Sequence, residues 1–240
     1  MAGVIADHPR RHNRAVLDSV NRSSVLERLS EGDLVLDVGA WAHPFERADW
    51  VIDLMPYETR GQYYYDREQA DERFSAETWV QRDICTREPW PWPDDHFDFA
   101  ICSHTLEDVR DPVWVCQELS RVARAGYVEV PSRLEEQSWG VHGPWAGWSH
   151  HRWLCDVVDG RLGVVFKPPL VHARESDHFP AGFHATLSGD QRVHRIWWED
   201  AIECLERVFL DAAALDAYLA DFVAAHGPQG RRGRRRLRRR

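Results

Sequence analysis

The sequence predicts an α/β fold: a Rossmann-like, doubly wound and mainly parallel sheet with an antiparallel edge hairpin. Short apolar runs recur through the first 130 residues, and each ends at or near a polar residue, as buried parallel strands do. Helical or irregular segments separate these runs, which is the alternation that parallel crossovers require. Two later apolar runs are joined by Asp159-Gly160, a strong signal for a tight hairpin.

The first half of the chain supplies a helix and four strands. Residues 10–30 carry apolar side chains at helical spacing with Gly32 just beyond them, so we predict a helix that caps the domain. Buried strands are predicted at residues 34–39, 50–54, 79–84 and 97–102. About ten residues separate Gly39 from the second strand, near the minimum for a parallel crossover, so the first connecting helix should shrink to a turn that begins at Pro44.

The second half begins with a helix over residues 112–122, for which Asp111 is a suitable N-cap and Pro112 a suitable first residue. A fifth strand follows at residues 127–130. Strands at 153–158 and 162–166 form the predicted edge hairpin of the sheet. Residues 168–195 are predicted to be an irregular lid or loop, and a last helix or pair of helices is predicted over residues 199–225.

Charge is unevenly distributed along the chain. The net charge is −9, but the last ten residues hold eight arginines, so the preceding 230 residues carry 22 basic and 39 acidic groups, or −17. An acidic body repels a nucleic-acid backbone, so nucleic acid is an unlikely partner except through the Arg tail. The tail itself is predicted to be disordered and solvated.

The composition also indicates the cellular compartment in which the protein is found. The five cysteines are widely spaced and form no C-x-x-C pair, which predicts reduced thiols rather than disulfides or a zinc site. The apolar stretches fall short of the ~20 residues that cross a bilayer. The N-terminus lacks the apolar core of a secretory signal, so we expect a cytoplasmic protein. The pattern predicts no particular oligomeric state.

The candidate site lies at the strand ends, because ligands of open α/β sheets bind beyond the carboxyl ends of the strands. The residues placed there are Gly39, Asp53, Asp83, Ile84, Ser103 and His104. The Asp53 carboxylate could accept both hydroxyl protons of a ribose. Asp83 could accept from the exocyclic amine of adenine while Ile84 covers the ring. Their joint placement predicts a nucleoside-binding cleft.

These residues sit in segments that resemble the class I S-adenosylmethionine-dependent methyltransferases, in particular the bacterial type 11 group. The matching segments are residues 35–40, 48–53, 82–84, 97–109 and 118–127, within residues 30–132. The resemblance implies that Asp37 and Gly39 border the methionine end of S-adenosylmethionine and that Asp53 binds its ribose. It also implies that Asp83 and Ile84 hold adenine, and that Ser103 with His104 faces the methionine or the methyl acceptor.

The resemblance divides the chain into an N-terminal capping helix (1–32), a Rossmann-like core that binds S-adenosylmethionine (33–132), a region with the edge hairpin, the acceptor roof and C-terminal helices (133–226), and a basic tail (227–240). The family's first loop usually reads G-x-G-x-G, whereas Gly39 is followed here by Ala-Trp-Ala-His-Pro. A catalytically degenerate binding protein therefore stays an alternative. An NAD(P)-dependent oxidoreductase is a weaker one, because the only lysine, Lys167, is not part of a Tyr-x-x-x-Lys motif.

Methyl transfer to a hydroxyl needs alignment and a base. His104, at the end of the fourth strand, is a candidate, and His151 is another in the segment expected to roof the cofactor, with His142 and His150 as alternatives. No histidine spacing indicates a metal site, so none is predicted. The twelve tryptophans and the absence of an Asn/Asp-Pro-Pro-Tyr segment favour a small-molecule or glycan acceptor, methylated on oxygen.

Overall fold

The computed structural model describes residues 19–61 and 71–228. They contain nine strands: β1 (Val35–Val38), β2 (Trp50–Asp53), β3 (Trp79–Gln81), β4 (Phe99–Ser103), β5 (Ala125–Pro131), β6 (Trp153–Val158), β7 (Arg161–Phe166), β8 (Val193–Glu199) and β9 (Cys204–Glu206). Six of them form the main sheet in the order β3-β2-β1-β4-β5-β8, with β1 to β5 parallel and β8 antiparallel to β5. The mainly parallel, doubly wound fold class is confirmed, and the strand order reverses between β1 and β4.

Five α-helices lie in the described residues: α1 (Ser19–Leu26), α2 (Pro112–Val122), α3 (Arg133–Glu136), α4 (Gly189–Arg192) and α5 (Ala212–His226). Helix α1 is the described part of the helix predicted over 10–30, whose residues 10–18 lie outside the described ranges, as does the Arg tail from residue 229 onward. Helix α2 begins and ends as predicted, and the Asp111 side chain accepts a hydrogen bond from the Trp114 N–H at its start.

The first crossover is a chain of turns without a helix, as its length predicts. Carboxylates at both ends hold it in place. The Phe45 N–H donates to Asp37 Oδ2, and the Val35 N–H donates to Asp49 Oδ2, each at 2.8 Å. The first bond satisfies a backbone donor within the turns, and the second joins the end of the crossover to the start of β1.

The predicted hairpin forms, but it is not the edge of the main sheet. Strands β6 and β7 pair antiparallel, and β7 pairs in parallel with β9, so the hairpin belongs to a separate three-stranded sheet. The antiparallel edge of the main sheet is β8, whose start was predicted to be irregular. Ile196 and Trp198 are buried along this strand, whereas His194 and Arg195 are only half-buried and their polarity hid the two-residue period.

The prediction of helices throughout residues 199–225 is correct only for the second part. Residues Cys204–Glu206 form β9, and helix α5 begins after Asp211, whose carboxylate accepts from the Ala213 N–H at 3.0 Å. Cys204 pairs with Leu162 of β7, and both side chains are buried. Sheet pairing therefore overrides the local helical pattern at this point.

Both faces of the main sheet are buried. Leu36 and Ala100 enter an apolar cluster that includes α2, whereas their neighbours Val35 and Ile101 enter a second cluster with Val25 of α1. This alternation explains why the strands are apolar throughout. No helix in residues 19–61 and 71–228 has the length and apolar character needed to cross a bilayer.

Candidate active site

A cavity of about 830 Å³ opens at the carboxyl ends of β1, β2 and β4, beside the point where the strand order reverses. It is lined by the loop after β1 (residues 39–45), by the segment after β4 and by part of residues 142–152, which we call the roof segment. All eight predicted site residues line it: Asp37, Gly39, Asp53, Asp83, Ile84, Ser103, His104 and His151. The common cavity that the nucleoside prediction requires is therefore present.

Gly39 brings the loop after β1 against the segment after β4. Its φ angle is +74°, in the left-handed region that favours glycine. A Cβ at this position would lie 2.3 Å from Cγ2 and Oγ1 of Thr105, so no side chain fits. The first loop thus retains the one glycine that the close approach requires.

Asp53 ends β2 and is buried. Its Oδ2 accepts from the Trp41 N–H at 2.8 Å and its Oδ1 accepts from the Met55 N–H at 2.7 Å. Burial raises the pKa of Asp53, although these two N–H donors act in the opposite direction. Each oxygen keeps a further lone pair, so the carboxylate can still accept from a ligand.

Asp37 lies beneath the same loop, where its Oδ2 accepts from the Phe45 N–H. Burial raises its pKa to about 7, with a smaller contribution from the nearby charge of Asp53. Together Asp37 and Asp53 fix the backbone of a loop that lacks two of the family's usual glycines.

Asp83 follows β3 on the more exposed side of the cavity. Arg110 Nη1 donates to its Oδ2 at 2.6 Å, and the Cys85 N–H donates to its Oδ1 at 2.9 Å. Arg110 holds the pKa of Asp83 below its usual value, although burial acts in the opposite direction. Ile84 beside it is buried and offers an apolar surface to the cavity.

His104 lies between two buried carboxylates. Its Nε2 is 3.0 Å from Glu129 Oε1, and its Nδ1 is 3.3 Å from Glu107 Oε1. Burial would lower the pKa of His104, but Glu107 and Glu129 outweigh it and raise the pKa to about 10. An imidazolium with both ring nitrogens facing carboxylates cannot take up a proton near neutral pH. The structure therefore disfavours the base role predicted for His104.

His151 lies in the roof segment with 7% of its side chain exposed. Its Nδ1 is 2.7 Å from Oε1 of the fully buried Glu136, and its Nε2 is 4.0 Å from Asp108 Oδ1. Burial lowers the pKa of His151, but Glu136 outweighs it, so the pKa is raised. The hydrogen bond to Glu136 places a proton on Nδ1. In the neutral ring, Nε2 is therefore the nitrogen that can accept a proton.

Glu136 is itself held by a buried cation. Lys167 Nζ donates to Glu136 Oε2 at 2.8 Å and to the carbonyl oxygens of Ala146 and Trp148, each at 2.9 Å. Burial would raise the pKa of Glu136, but His151 and Lys167 outweigh it and hold the pKa at about 2.

A known family model matches part of the chain that forms this cavity. The model of the Methyltransferase domain family, type 11, matches residues 57–128, which include β3, β4, α2 and the Asp83 and His104 positions. These 72 of the 240 residues are therefore similar to a methyltransferase domain. No curated protein matches the sequence.

Solved structures align with this chain over part of its length. The YcgJ protein from Bacillus subtilis is 18% identical, with a TM-score of 0.36 over 46% of this chain and 50% of the other. An S-adenosylmethionine-dependent methyltransferase from Aquifex aeolicus is 24% identical, with a TM-score of 0.35 over 50% and 68%. CrArsM, an arsenic(III) methyltransferase from Chlamydomonas reinhardtii, is 20% identical, with a TM-score of 0.32 over 42% and 39%. The chain thus spans about half the length of YcgJ.

S-adenosylmethionine is the cofactor that the resemblance implies, and the cavity offers features that fit it. Ser103 Oγ is buried and makes no hydrogen bond within the described residues. The Asp53 oxygens retain lone pairs for the two hydroxyl groups of a ribose. Ile84 and Asp83 together present one apolar and one hydrogen-bonding surface, as an adenine ring with an amino group requires.

Three groups on the cavity wall approach one another as metal ligands do. Asp108, His150 and His151 each bring one atom to within 4.8 Å of the others. The Nε2 atoms lie 3.9 Å and 4.0 Å from the Asp108 oxygens, whereas two ligands on a tetrahedral zinc ion are about 3.4 Å apart. We assign no metal to this group, and the absence of a resident metal stays a prediction.

The sequence did not identify Glu136, Lys167, Glu107 or Glu129 as parts of the site. Glu129 lies inside β5, and Glu136 is the last residue of the four-residue helix α3, which no periodicity predicts. One signal was available for Lys167: a single lysine in a chain of 240 residues, set among apolar residues, is an unusual position for a charge.

Proposed function

We propose that this protein transfers the methyl group of S-adenosylmethionine to the oxygen of a small-molecule or glycan acceptor, with His151 as the general base. The observation that carries the proposal is His151, which lines the cavity and whose Nδ1 is 2.7 Å from Oε1 of the buried Glu136. General-base histidines use an orienting carboxylate on Nδ1 and an Nε2 that is available to a ligand; the Nε2 of His151 makes no hydrogen bond within the described residues and is 4.0 Å from Asp108 Oδ1. Transfer to a hydroxyl needs such a base, because the acceptor loses its proton as the new bond forms.

The residues at the strand ends hold the cofactor. Asp53 accepts from the ribose hydroxyls, Asp83 and Ile84 bind the adenine ring, and Ser103 with the Asp37–Gly39 segment borders the methionine end. The cofactor supplies a methyl group on a sulfonium sulfur. With the cofactor bound, the acceptor oxygen would form the new O–C bond, the C–S electron pair would go to sulfur, and His151 Nε2 would take the acceptor proton.

Aromatic surface beside His151 supports a ring-shaped acceptor. The Trp148 and His151 rings stack with centroids 5.9 Å apart, and Trp148 also stacks with His142 at 5.4 Å. All three residues line the cavity. Aromatic faces bind the apolar faces of sugars and phenolic rings, whereas a hydroxyl on such a ring can still reach Nε2.

The function is tested by measuring S-adenosylhomocysteine formation with a panel of phenols, free sugars and primary amines of similar size. We expect turnover with hydroxyl acceptors. Turnover confined to amines would overturn the oxygen assignment. Turnover that is abolished by EDTA and restored by Zn²⁺ or Mn²⁺ would instead assign acceptor activation to a metal at Asp108, His150 and His151.

Replacing His151 with Gln is expected to lower kcat about a hundredfold, the usual loss when a general base is removed. His104→Gln is the matched comparison, because His104 lines the same cavity but has both nitrogens against carboxylates. If His104→Gln loses activity while His151→Gln does not, and both still bind S-adenosylhomocysteine, the base assignment is wrong.

Asp53→Ala is expected to weaken S-adenosylhomocysteine binding about tenfold or more, since a charged hydrogen-bond acceptor to the ribose is lost. Isothermal titration calorimetry measures the change. Asp94→Ala is the control, because the Asp94 side chain is exposed and pairs with Arg121 away from the cavity. Unchanged affinity in Asp53→Ala would remove the ribose assignment.

A further inference from the structure

We propose that Lys167 is a positioning residue for methyl transfer: its buried ammonium group keeps Glu136 ionised and fixed, and through Glu136 it sets the orientation and basicity of His151. This inference deepens the proposed function and rests on the base role of His151. Lys167 does not line the cavity, so its effect on the acceptor is exerted only through Glu136.

The geometry at Lys167 is that of a fully satisfied buried cation. Its side chain is 2% exposed, and its three N–H donors have three acceptors at 2.8–2.9 Å: Glu136 Oε2 and the carbonyl oxygens of Ala146 and Trp148. An ammonium group has three donors and no acceptor, so no donor is left over. The carbonyl groups belong to the roof segment, which ties Lys167 to the part of the chain that carries His151.

Glu136 connects Lys167 to His151 with one carboxylate oxygen for each. Oε2 receives Lys167, and Oε1 faces His151 Nδ1 at 2.7 Å. The roof backbone closes over this carboxylate at Gly147, where an added Cβ would lie 2.6 Å from Oε2. With both oxygens engaged and the side chain fully buried, Glu136 cannot rotate away from His151, so the ring orientation is fixed.

Other charged groups also face His151. Glu107 and Asp108 reach it from the segment after β4, Glu136 from the end of α3, and His150 from the roof segment. Arg152 and Trp153 donate backbone N–H bonds to the Glu107 carbonyl oxygen at 2.7 and 3.2 Å, which keeps these elements together. Of these groups only Glu136 hydrogen-bonds the ring, so it is the one through which Lys167 acts.

This arrangement predicts opposite effects for the two partners. Without the Lys167 charge, the negative charge of Glu136 is no longer balanced, so His151 holds its proton more tightly and its pKa rises. Without the Glu136 charge, the protonated ring loses its partner and the pKa of His151 falls. A purely structural role for Lys167 would not produce opposite shifts.

The test is a pH titration of ring-¹⁵N-labelled histidine by NMR, with the His151 signals assigned from their loss in His151→Gln. We expect Lys167→Met to raise the pKa of His151 by about one pH unit and Glu136→Gln to lower it by about one pH unit. Where an acceptor is turned over, the acid limb of kcat should move the same way in each variant, because only neutral His151 can take the proton.

Lys167→Gln retains two N–H donors and removes the charge. It replaces Lys167→Met in the titration if Lys167→Met does not fold. S-adenosylhomocysteine binding at wild-type affinity shows that a variant is folded. Shifts in the same direction in both variants, or no shift in either, overturn the role of Lys167. The NMR measurement needs no acceptor, so it tests the effect of Lys167 and Glu136 on His151 separately from catalysis. Opposite pKa shifts together with a fully active His151→Gln would contradict the base role of His151 but not the effect of Lys167 on its pKa.

Discussion

Replacing Lys167 with Met is expected to destabilise the fold by about 3–5 kcal/mol, the usual result of removing one partner of a buried ion pair. Glu136 is fully buried and carries a pKa of about 2 because His151 and Lys167 favour its charged form. Methionine matches the length of lysine but supplies neither charge nor donor. It therefore removes the cationic partner of the Glu136 carboxylate and the Nζ–H donors to the carbonyl oxygens of Ala146 and Trp148.

Urea unfolding followed by tryptophan fluorescence measures this loss. Arg161→Met is the matched control, because its ion pair with Glu203 is more than half exposed on both sides, and it should cost less than about 1 kcal/mol. The double variant Glu136→Gln/Lys167→Met should recover part of the loss, since the unpaired charge is gone while the hydrogen bonds from Lys167 to the carbonyl oxygens of Ala146 and Trp148 are still missing. Equal stability of Lys167→Met and wild type would mean that Glu136 is neutral in the folded protein.

The pH dependence of the same pair has a defined sign. The pKa of Glu136 is lowered from 4.5 to about 2 in the folded protein, so its contribution to stability is fully present above pH 4.5 and is lost as the pH falls toward 2. His104 behaves in the opposite way. Its pKa is raised from 6.5 to about 10, so its contribution is complete below pH 6.5 and is lost as the pH rises toward 10.

Local sequence pattern was sufficient to predict the parallel strands and α2. It failed for strands whose pairing partners are distant in the sequence. Strands β1, β2 and β4 are continuous apolar runs, and α2 has a cap, a proline and helical spacing, so each is determined by its own residues. Strand β8 and strand β9 are determined by β5 and β7, which lie more than 35 residues earlier in the chain. No window of sequence contains both partners, so tertiary pairing decided these segments.

The site divides in the same way. Residues at strand ends could be placed together in advance, because parallel strands bring their carboxyl ends to one edge. Glu136 and Lys167 could not, since they meet only when the hairpin β6–β7 folds back against α3. The contact of His104 with Glu129 could not be predicted either, because Glu129 lies 25 residues away and approaches His104 across the sheet.

Gly39→Ala is expected to destabilise the protein by about 2–5 kcal/mol. The left-handed φ of +74° costs about 1–2 kcal/mol for alanine. The clash with Thr105 adds the cost of overpacking, about 1–3 kcal/mol. Thr105 has little freedom to move, because its Oγ1 lies 3.1–3.4 Å from the carbonyl oxygens of Val38, Gly39 and Ser103. The same displacement should weaken S-adenosylhomocysteine binding, since the loop after β1 and Ser103 both line the cavity.

Gly160→Ala separates the two contributions. Gly160 has a nearly identical φ of +78°, but an added Cβ would meet nothing within 4 Å. Chemical unfolding of the two variants should therefore differ by the contact with Thr105 alone, and only Gly39→Ala should lose cofactor affinity. Adding Thr105→Gly to Gly39→Ala removes the clash and should restore part of that affinity. If Gly39→Ala and Gly160→Ala lose equal stability and both bind normally, the loop after β1 does not depend on this close approach.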